Sequence, residues 1–178
     1  MDVPLRAVPE SAAAERPGMA EEQRTFEEFF RGEHDRLFRA LCLVTGSRQE
    51  ADEIMQDAFL KVWELWERVV LMVDPTGFLY RVAMNAFRKR YRSVARALKR
   101  GVAMTRTDDA FAAVEDRDAV VRALRTLIPQ QRAAVVLTSL LDYSSEEAGH
   151  MLGMKAATVR ALTTRARASM RQTMEDPR

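Results

Sequence analysis

Ser144 to Met170 (SSEEAGHMLGMKAATVRALTTRARASM) carries basic and hydroxyl side chains at a spacing suited to gripping a polyanion. Wound as a helix, its second half puts Ala157, Ala161, Thr164 and Ala168 on one side, flanked by Thr158, Arg160, Arg165 and Arg171, with no acidic residue. A small centre with basic flanks can enter a major groove: the alanines permit close approach, and the arginines reach base edges or phosphates. Val159, Leu162, Ala166 and Met170 fall on the other side and predict the packed face. Positioning that surface requires two short helices joined by a tight turn. Ser144 with Glu147 makes a capping box for the first helix, and Ala148, Met151 and Leu152 face inward. Gly149 is small where the helices approach, and Gly153 sits where the chain turns, a place that favours positive φ. This is the layout of a helix-turn-helix. The same residues also suit a helical hairpin with a solvated basic face, and the pattern alone leaves both open.

Arg81, Asn85, Arg88 and Arg92 form a second group, spaced by four, three and four, bordered by Tyr80, Met84 and Tyr91. Guanidinium groups meet phosphates, amides read base edges, and rings stack on unpaired bases, so this face has nucleic-acid chemistry. The alternative is a solvated basic helix. Its element runs from Pro75 to about Leu98, with Asp74 as N-cap and Phe78, Leu79, Val82, Ala83, Ala86 and Phe87 facing inward. The third group is of another kind: Asp52, Gln56 and Asp57 lie beside Phe59, Leu60 and Trp63, off the core face made by Ala51, Ile54, Met55, Ala58, Val62 and Leu65. An apolar stripe mixed with acids predicts either a docking surface for another protein or a face covered by a further helix.

The remaining elements are helical too. Phe26, Phe29, Phe30, Leu37, Phe38, Leu41 and Val44 recur at helical spacing over Thr25 to Val44, and Gly46 ends that helix. Ser47 with Glu50 predicts a capping box for the next helix, which extends to about Arg68, before an apolar connection through Val73. Residues 1–24 lack a period and are expected to be a flexible tail. Residues 25–100 form one unit, 101–113 a linker, and 114–175 a second unit. In that second unit Val120, Val121, Leu124 and Leu127 mark one helix. Pro129 starts another, with Ala133, Val136, Leu137, Leu140 and Leu141 apolar. The expected fold is all-α, as two small helical domains on a flexible linker. The chain has 178 residues, 47% of them hydrophobic, with only 7 Gly and 6 Pro, which disfavours a turn-rich sheet protein.

Net charge is only +2, but its distribution is uneven. Pro75 to Thr107 holds nine Lys or Arg and no acid, whereas Glu21 to Asp57 holds ten acids against five bases. An acidic front and a basic middle predict a protein partner for one and a polyanion for the other. Cys42 stands alone in an apolar run, which excludes an intrachain disulfide and a cysteine zinc site. There is no bilayer-spanning apolar stretch and no hydrophobic signal core, so a cytoplasmic protein with no membrane insertion is expected. His34 and His150 have neither nucleophile nor ligand cluster beside them; no enzymatic activity, metal or cofactor is expected.

An acidic and apolar helix, a basic aromatic helix, a linker and a helix-turn-helix, in that order, resemble a bacterial RNA polymerase sigma factor of the sigma-70 class. The two-unit layout is similar to the extracytoplasmic-function (ECF) group, which keeps only the domains called sigma-2 and sigma-4. Three segments carry the resemblance: SRQEADEIMQDAFLKVWE, DPTGFLYRVAMNAFRKRYR, and IPQQRAAVVLTSLLDYSSEEAGHMLGMKAATVRALTTRARASM. It implies that Asp52, Glu53, Gln56, Asp57, Phe59, Leu60 and Trp63 contact the clamp coiled coil of RNA polymerase core. It implies that Asn85 reads an extruded base of the melted minus-ten strand, with Tyr80, Arg81, Arg88, Lys89 and Arg92 around that strand. Lys155, Ala157, Thr158, Arg160, Ala161, Thr164 and Arg165 would meet the minus-thirty-five duplex. Partners implied are polymerase core, promoter DNA both duplex and melted, and an anti-sigma factor.

The chain departs from the family pattern in three places: Lys155 stands where a Ser or Thr cap is usual, Leu162-Thr163 where an Arg-Leu pair is usual, and the normally polar base-capturing loop is VVLMV, residues 69–73. One rival reading is a two-domain helix-turn-helix transcriptional regulator that is no polymerase subunit; it leaves the stripe from Asp52 to Trp63 without a task. Another is a helical regulator that binds polymerase without reading DNA; it leaves Arg81, Asn85, Arg88 and Arg92 without one.

Overall fold

A computed structural model describes residues 24–99 and 119–175. The expected linker and all of the expected tail except Arg24 lie outside the described residues. Helix α1 spans Phe26–Thr45. Thr25 Oγ1 accepts the Glu28 N–H (3.2 Å) and Glu28 Oε2 accepts the Thr25 N–H (2.9 Å), a capping box that settles two orphan donors. Gly46, at φ 74°, ends the helix in the left-handed region and donates its N–H to the Cys42 carbonyl at 2.9 Å.

Helix α2 spans Arg48–Glu64. Ser47 accepts the Glu50 N–H at 3.2 Å, the first half of the expected box. The other half is pre-empted, because the Ser47 N–H is donated to Thr45 Oγ1 at 3.1 Å. The expected run to Arg68 is also corrected: the helix stops at Leu65, and Trp66–Val69 is a separate turn, α3. That break lets Trp66 pack its ring on Phe26 and Phe29, with centroids 5.5 and 5.2 Å away.

Helix α4 spans Pro75–Lys99. Asp74 Oδ1 accepts the Gly77 N–H at 2.7 Å, and a side chain at Gly77 would collide with that carboxylate, so this glycine makes room for the cap. In the second unit, α5 is Ala119–Arg125 and α6 is Pro129–Val135, continued by one π turn over Val136–Leu140. In that turn the Leu141 N–H reaches back to the Val136 carbonyl at 3.1 Å. The extra residue carries Leu141 into the core (8% exposed) and leaves the equally apolar Leu140 outside (54% exposed). Of the apolar residues that mark α5 in the sequence, Val121, Leu124 and Leu127 are buried and Val120 is exposed. Helices α7 (Ser145–Leu152) and α8 (Ala156–Glu175) complete the chain.

The architecture is all-α, in two helical units. Leu37, Leu41 and Val44 of α1 share a core with Ile54, Ala58 and Val62 of α2 and with Leu79 and Ala83 of α4. That core runs on without a gap into Ala133, Leu137, Ala148, Leu152 and Val159 of the second unit. Arg132 of α6 crosses the seam at 5% exposure and donates to the carbonyls of Val44 (3.1 Å), Thr45 (3.2 Å) and Leu127 (2.9 Å).

Candidate nucleic-acid and protein interfaces

The α7–turn–α8 segment forms as its sequence predicts. Ser144 Oγ accepts the Glu147 N–H (3.2 Å), and Glu147 Oε2 accepts the Ser144 N–H (2.8 Å). These hydrogen bonds from Ser144 hold the Glu147 carboxyl below the usual carboxylate range. Gly153 sits at φ 59°, and a Cβ on Gly149 would come 2.7 Å from the Met154 carbonyl oxygen, so neither position takes a side chain without movement. Lys155 occupies the N-cap of α8 through its main chain, accepting the Thr158 and Val159 N–H groups at 2.9 and 3.1 Å. Lys155, Ala157, Thr158, Arg160, Ala161, Thr164 and Arg165 are all exposed. The packed side is Val159, Thr163 and Ala166, with Leu162 and Met170 only half-buried. Thr163 takes the inward place by meeting the hydroxyl of Thr138 at 3.4 Å.

On α4 the expected basic face is only partly free. Arg81 is exposed and lies over the Phe78 ring, 5.2 Å from its centroid. Asn85, Lys89 and Arg92 are exposed, and Asn85 Oδ1 accepts a hydrogen bond from Arg88 at 3.1 Å. Arg88 is half-buried; burial, then the neighbouring charge of Arg92, lowers its pKa from the usual value. The expectation that Tyr80 borders this face is corrected. It is 1% exposed, packed 5.9 Å from the Tyr143 ring, and burial pushes its phenol up. Met84 is equally buried. The second unit covers that flank, whose apolar period reads in sequence as a border of the basic line.

On α2, Leu60 (55%) and Trp63 (60%) are exposed beside the exposed Gln56 and Asp57. Asp52 and Glu53 are half-buried, and Gln56 Nε2 donates to Asp52 at 2.7 Å. Phe59 does not join this face. It is 4% exposed, centred 4.7 Å from Phe30 and 6.4 Å from Phe29, so the covering-helix alternative holds for Phe59 and not for Trp63. Arg90 of α4 pairs with Glu53 and lies 3.9 Å from Asp57. Its hydrogen bond holds the Glu53 carboxyl below the usual range. Sequence reasoning missed Arg90, hidden in a basic run, and Arg132, whose only signal is a lone cation opening an apolar stretch.

Two family models match the chain: Sigma-70 region 2 over residues 29–97, and Sigma-70, region 4 over residues 117–170. The chain is 32% identical over 156 residues to ECF RNA polymerase sigma factor SigM of Mycobacterium tuberculosis, covering 85% of this chain and 78% of that one. It is 30% identical over 149 residues to the RNA polymerase sigma-E factor of Streptomyces coelicolor, covering 83% and 84%. Its fold is similar to the sigma factor RpoE of Bartonella quintana, solved with the anti-sigma factor NepR, at TM-score 0.67 and 19% identity, over 86% of this chain and 98% of that one. It is similar also to a chain of the PhyRSL–NepR complex from Sphingomonas sp. Fr1, at TM-score 0.59 and 24% identity, over 85% and 90%.

Proposed function

The chain belongs to the ECF group of sigma-70-class RNA polymerase sigma factors, and from that premise we propose which of its surfaces performs each step. A sigma factor directs transcription initiation. It binds RNA polymerase core and recognises promoter DNA, while polymerase carries out the synthesis. No catalytic step is assigned to this chain, and we place it in the cytoplasm beside its polymerase.

Residues 25–100 act as the sigma-2 domain and 114–175 as the sigma-4 domain. The polymerase-docking surface is Asp52, Gln56, Asp57, Leu60 and Trp63. The observation that carries this reading is the exposure of Leu60 and Trp63 next to Asp57, since large apolar side chains among acids offer a cationic partner both burial and charge pairing. Glu53 is shared with Arg90 and supports the surface from its edge.

Arg81, Asn85, Arg88, Lys89 and Arg92 handle the melted minus-ten strand. Cations hold its phosphates and the Asn85 amide meets the edge of an unstacked base. A surface that grips unpaired bases more tightly than paired ones draws the promoter toward the open form by that difference in affinity. Lys155, Thr158, Arg160, Thr164 and Arg165 contact the minus-thirty-five duplex, with Ala157 and Ala161 admitting the helix to the groove. An anti-sigma factor is a fitting regulator, because the sigma factor RpoE that shares this fold is held by one.

Replacing Asp57 and Trp63 together by alanine tests the docking surface. Core binding in a pull-down and sigma-dependent transcription should both fall at least tenfold, with the helical signal and melting temperature retained. Unchanged core affinity in the folded double variant removes this assignment.

A further inference from the structure

Four acids of α2 differ in how firmly they are held. Glu64 takes the Lys61 ammonium at 2.8 Å, and Asp52 takes the Gln56 amide at 2.7 Å. Glu53 takes Gln49 Nε2 at 3.1 Å and, closer still, Nη1 of Arg90. Those two hydrogen bonds, that from Arg90 first, hold its carboxyl below the usual range. Asp57 has the loosest tie of the four: Arg90 Nη2 stands 3.9 Å from it, and its side chain is 65% exposed. One guanidinium therefore serves two carboxylates, firmly at Glu53 and loosely at Asp57.

Arg90 does not share the basic line of α4. Five residues beyond Asn85, it is turned by about 140° around the helix, and it reaches α2 instead. Phe87, buried at 6% exposure one turn earlier, fixes the root of its side chain. The planar fork of an arginine can hold two acceptors in a set geometry, whereas an ammonium is a point charge. Glu53 and Asp57 are one turn apart on α2, where like charges repel. A cation between them relieves that repulsion, and it also cancels part of the charge that a docking partner would meet.

We propose that Arg90 is a resident competitor for Asp57, and that Glu53 parks it. This rests on the reading of Asp57, Leu60 and Trp63 as the polymerase-docking surface. A partner cation approaching Asp57 meets a guanidinium that is already in reach of the same oxygen. Charge alone then docks weakly, and a partner that also covers Leu60 and Trp63 gains an advantage over other cationic surfaces. Glu53 sets the strength of the competition. Its shorter contact keeps Arg90 from closing on Asp57, and without it the guanidinium turns wholly to Asp57. Arg90 and Glu53 are positioning residues in this scheme: both act through Asp57 and neither touches polymerase.

The test titrates purified core polymerase into the labelled full chain and its variants. One exposed ion pair shifts an equilibrium by up to about fivefold, so Arg90→Gln should bind core about two- to fivefold more tightly than the wild type. Glu53→Gln should bind more weakly than the wild type. The double variant Glu53→Gln with Arg90→Gln should match Arg90→Gln alone, because nothing is left to park. In an Asp57→Asn background, which is itself weakened, removing Arg90 should leave core affinity unchanged. A purely structural role predicts losses throughout and cannot give this order. If Arg90→Gln binds no tighter while Asp57→Asn is impaired, the competition is overturned and the docking surface stands. A double variant as weak as Glu53→Gln means that Glu53 touches polymerase itself, which overturns the parking. A gain that persists beside Asp57→Asn sets Arg90 directly against the partner and overturns the proposal. Unchanged core affinity in Asp57→Asn removes Asp57 from the docking surface, and the proposal falls with it. Should Arg90→Gln fold poorly, Arg90→Met, which keeps an apolar stem without the charge, decides by the same order.

Discussion

Helices α4 and α8 are both long, basic and free of acids in their first turn, yet the fold uses them in opposite ways. Helix α8 buries one narrow stripe, Val159, Thr163 and Ala166, edged by the half-buried Leu162 and Met170, and shows its opposite side to solvent. Helix α4 is packed on two sides: Leu79 and Ala83 in the shared core, Tyr80, Met84 and Phe87 buried along its other flank. A rod that enters a duplex groove needs only to be held from behind. Under the proposed roles, the surface that sorts melted bases is the one anchored on two sides in the core. The cost is that its free face is narrow and lies next to the seam.

The largest effect that separates the two helices is on stability. Leu79→Ala removes a fully buried side chain from α4 and should cost about 2–5 kcal/mol in chemical denaturation. Ala161→Leu on α8 adds bulk to an exposed position and should stay within about 0.5 kcal/mol of the parent, while weakening duplex binding by blocking close approach. If Ala161→Leu binds duplex as well as the parent, α8 does not enter the groove along this face.

A middle-sized effect lies in nucleic-acid binding. Arg165→Ala should weaken minus-thirty-five duplex binding by about 1–3 kcal/mol if its contact is to a base, with core binding untouched. If the contact is to a phosphate, the loss should be uniform across sequences and the salt slope should fall by about one. Asn85→Ala should do the reverse: duplex affinity is kept, and open-complex formation, followed by permanganate reactivity of unpaired thymines, declines. Equal losses in both assays for either variant would erase the distinction between the helices.

The contrast also marks where sequence reasoning ends. The turn glycines, the Ser144–Glu147 box, the Asp74 cap and the exposed face of α8 are legible because each depends on neighbours within a few residues. Tyr80 and Phe59 are misread for a common reason. Each lies off its helix's first apolar stripe, and a second stripe looks the same in sequence whether another helix covers it or a partner does. Trp63 and Phe59 share one such stripe on α2, and only the arrival of Phe26 and Phe30 from α1 assigns Phe59 to the interior. Leu140 and Leu141, both apolar, are told apart in another way: one π turn shifts the register by a residue, which no helical period anticipates. Arg132 and Arg90 act across large sequence separations on carbonyls and carboxylates whose approach is set by packing alone.

The smallest effect concerns α7, which packs against both helices. Its capping box draws the Glu147 carboxyl down through hydrogen bonds from Ser144, which outweigh a smaller opposing effect of desolvation. A carboxyl depressed in the folded chain releases its proton more readily there than when unfolded. Its contribution is therefore complete above the ordinary glutamate range and disappears as pH falls through the lower, folded value. Glu147→Gln keeps an acceptor for the Ser144 N–H but carries no charge to titrate. Thermal melts of the two chains should differ slightly at neutral pH, with the parent the more stable, and converge as the solution is acidified below the glutamate range. Parallel curves over that whole interval would mean that Glu147 acts at the cap as a neutral acceptor, and that the charge at the N-terminus of α7 does not help to hold the turn on which α8 is mounted.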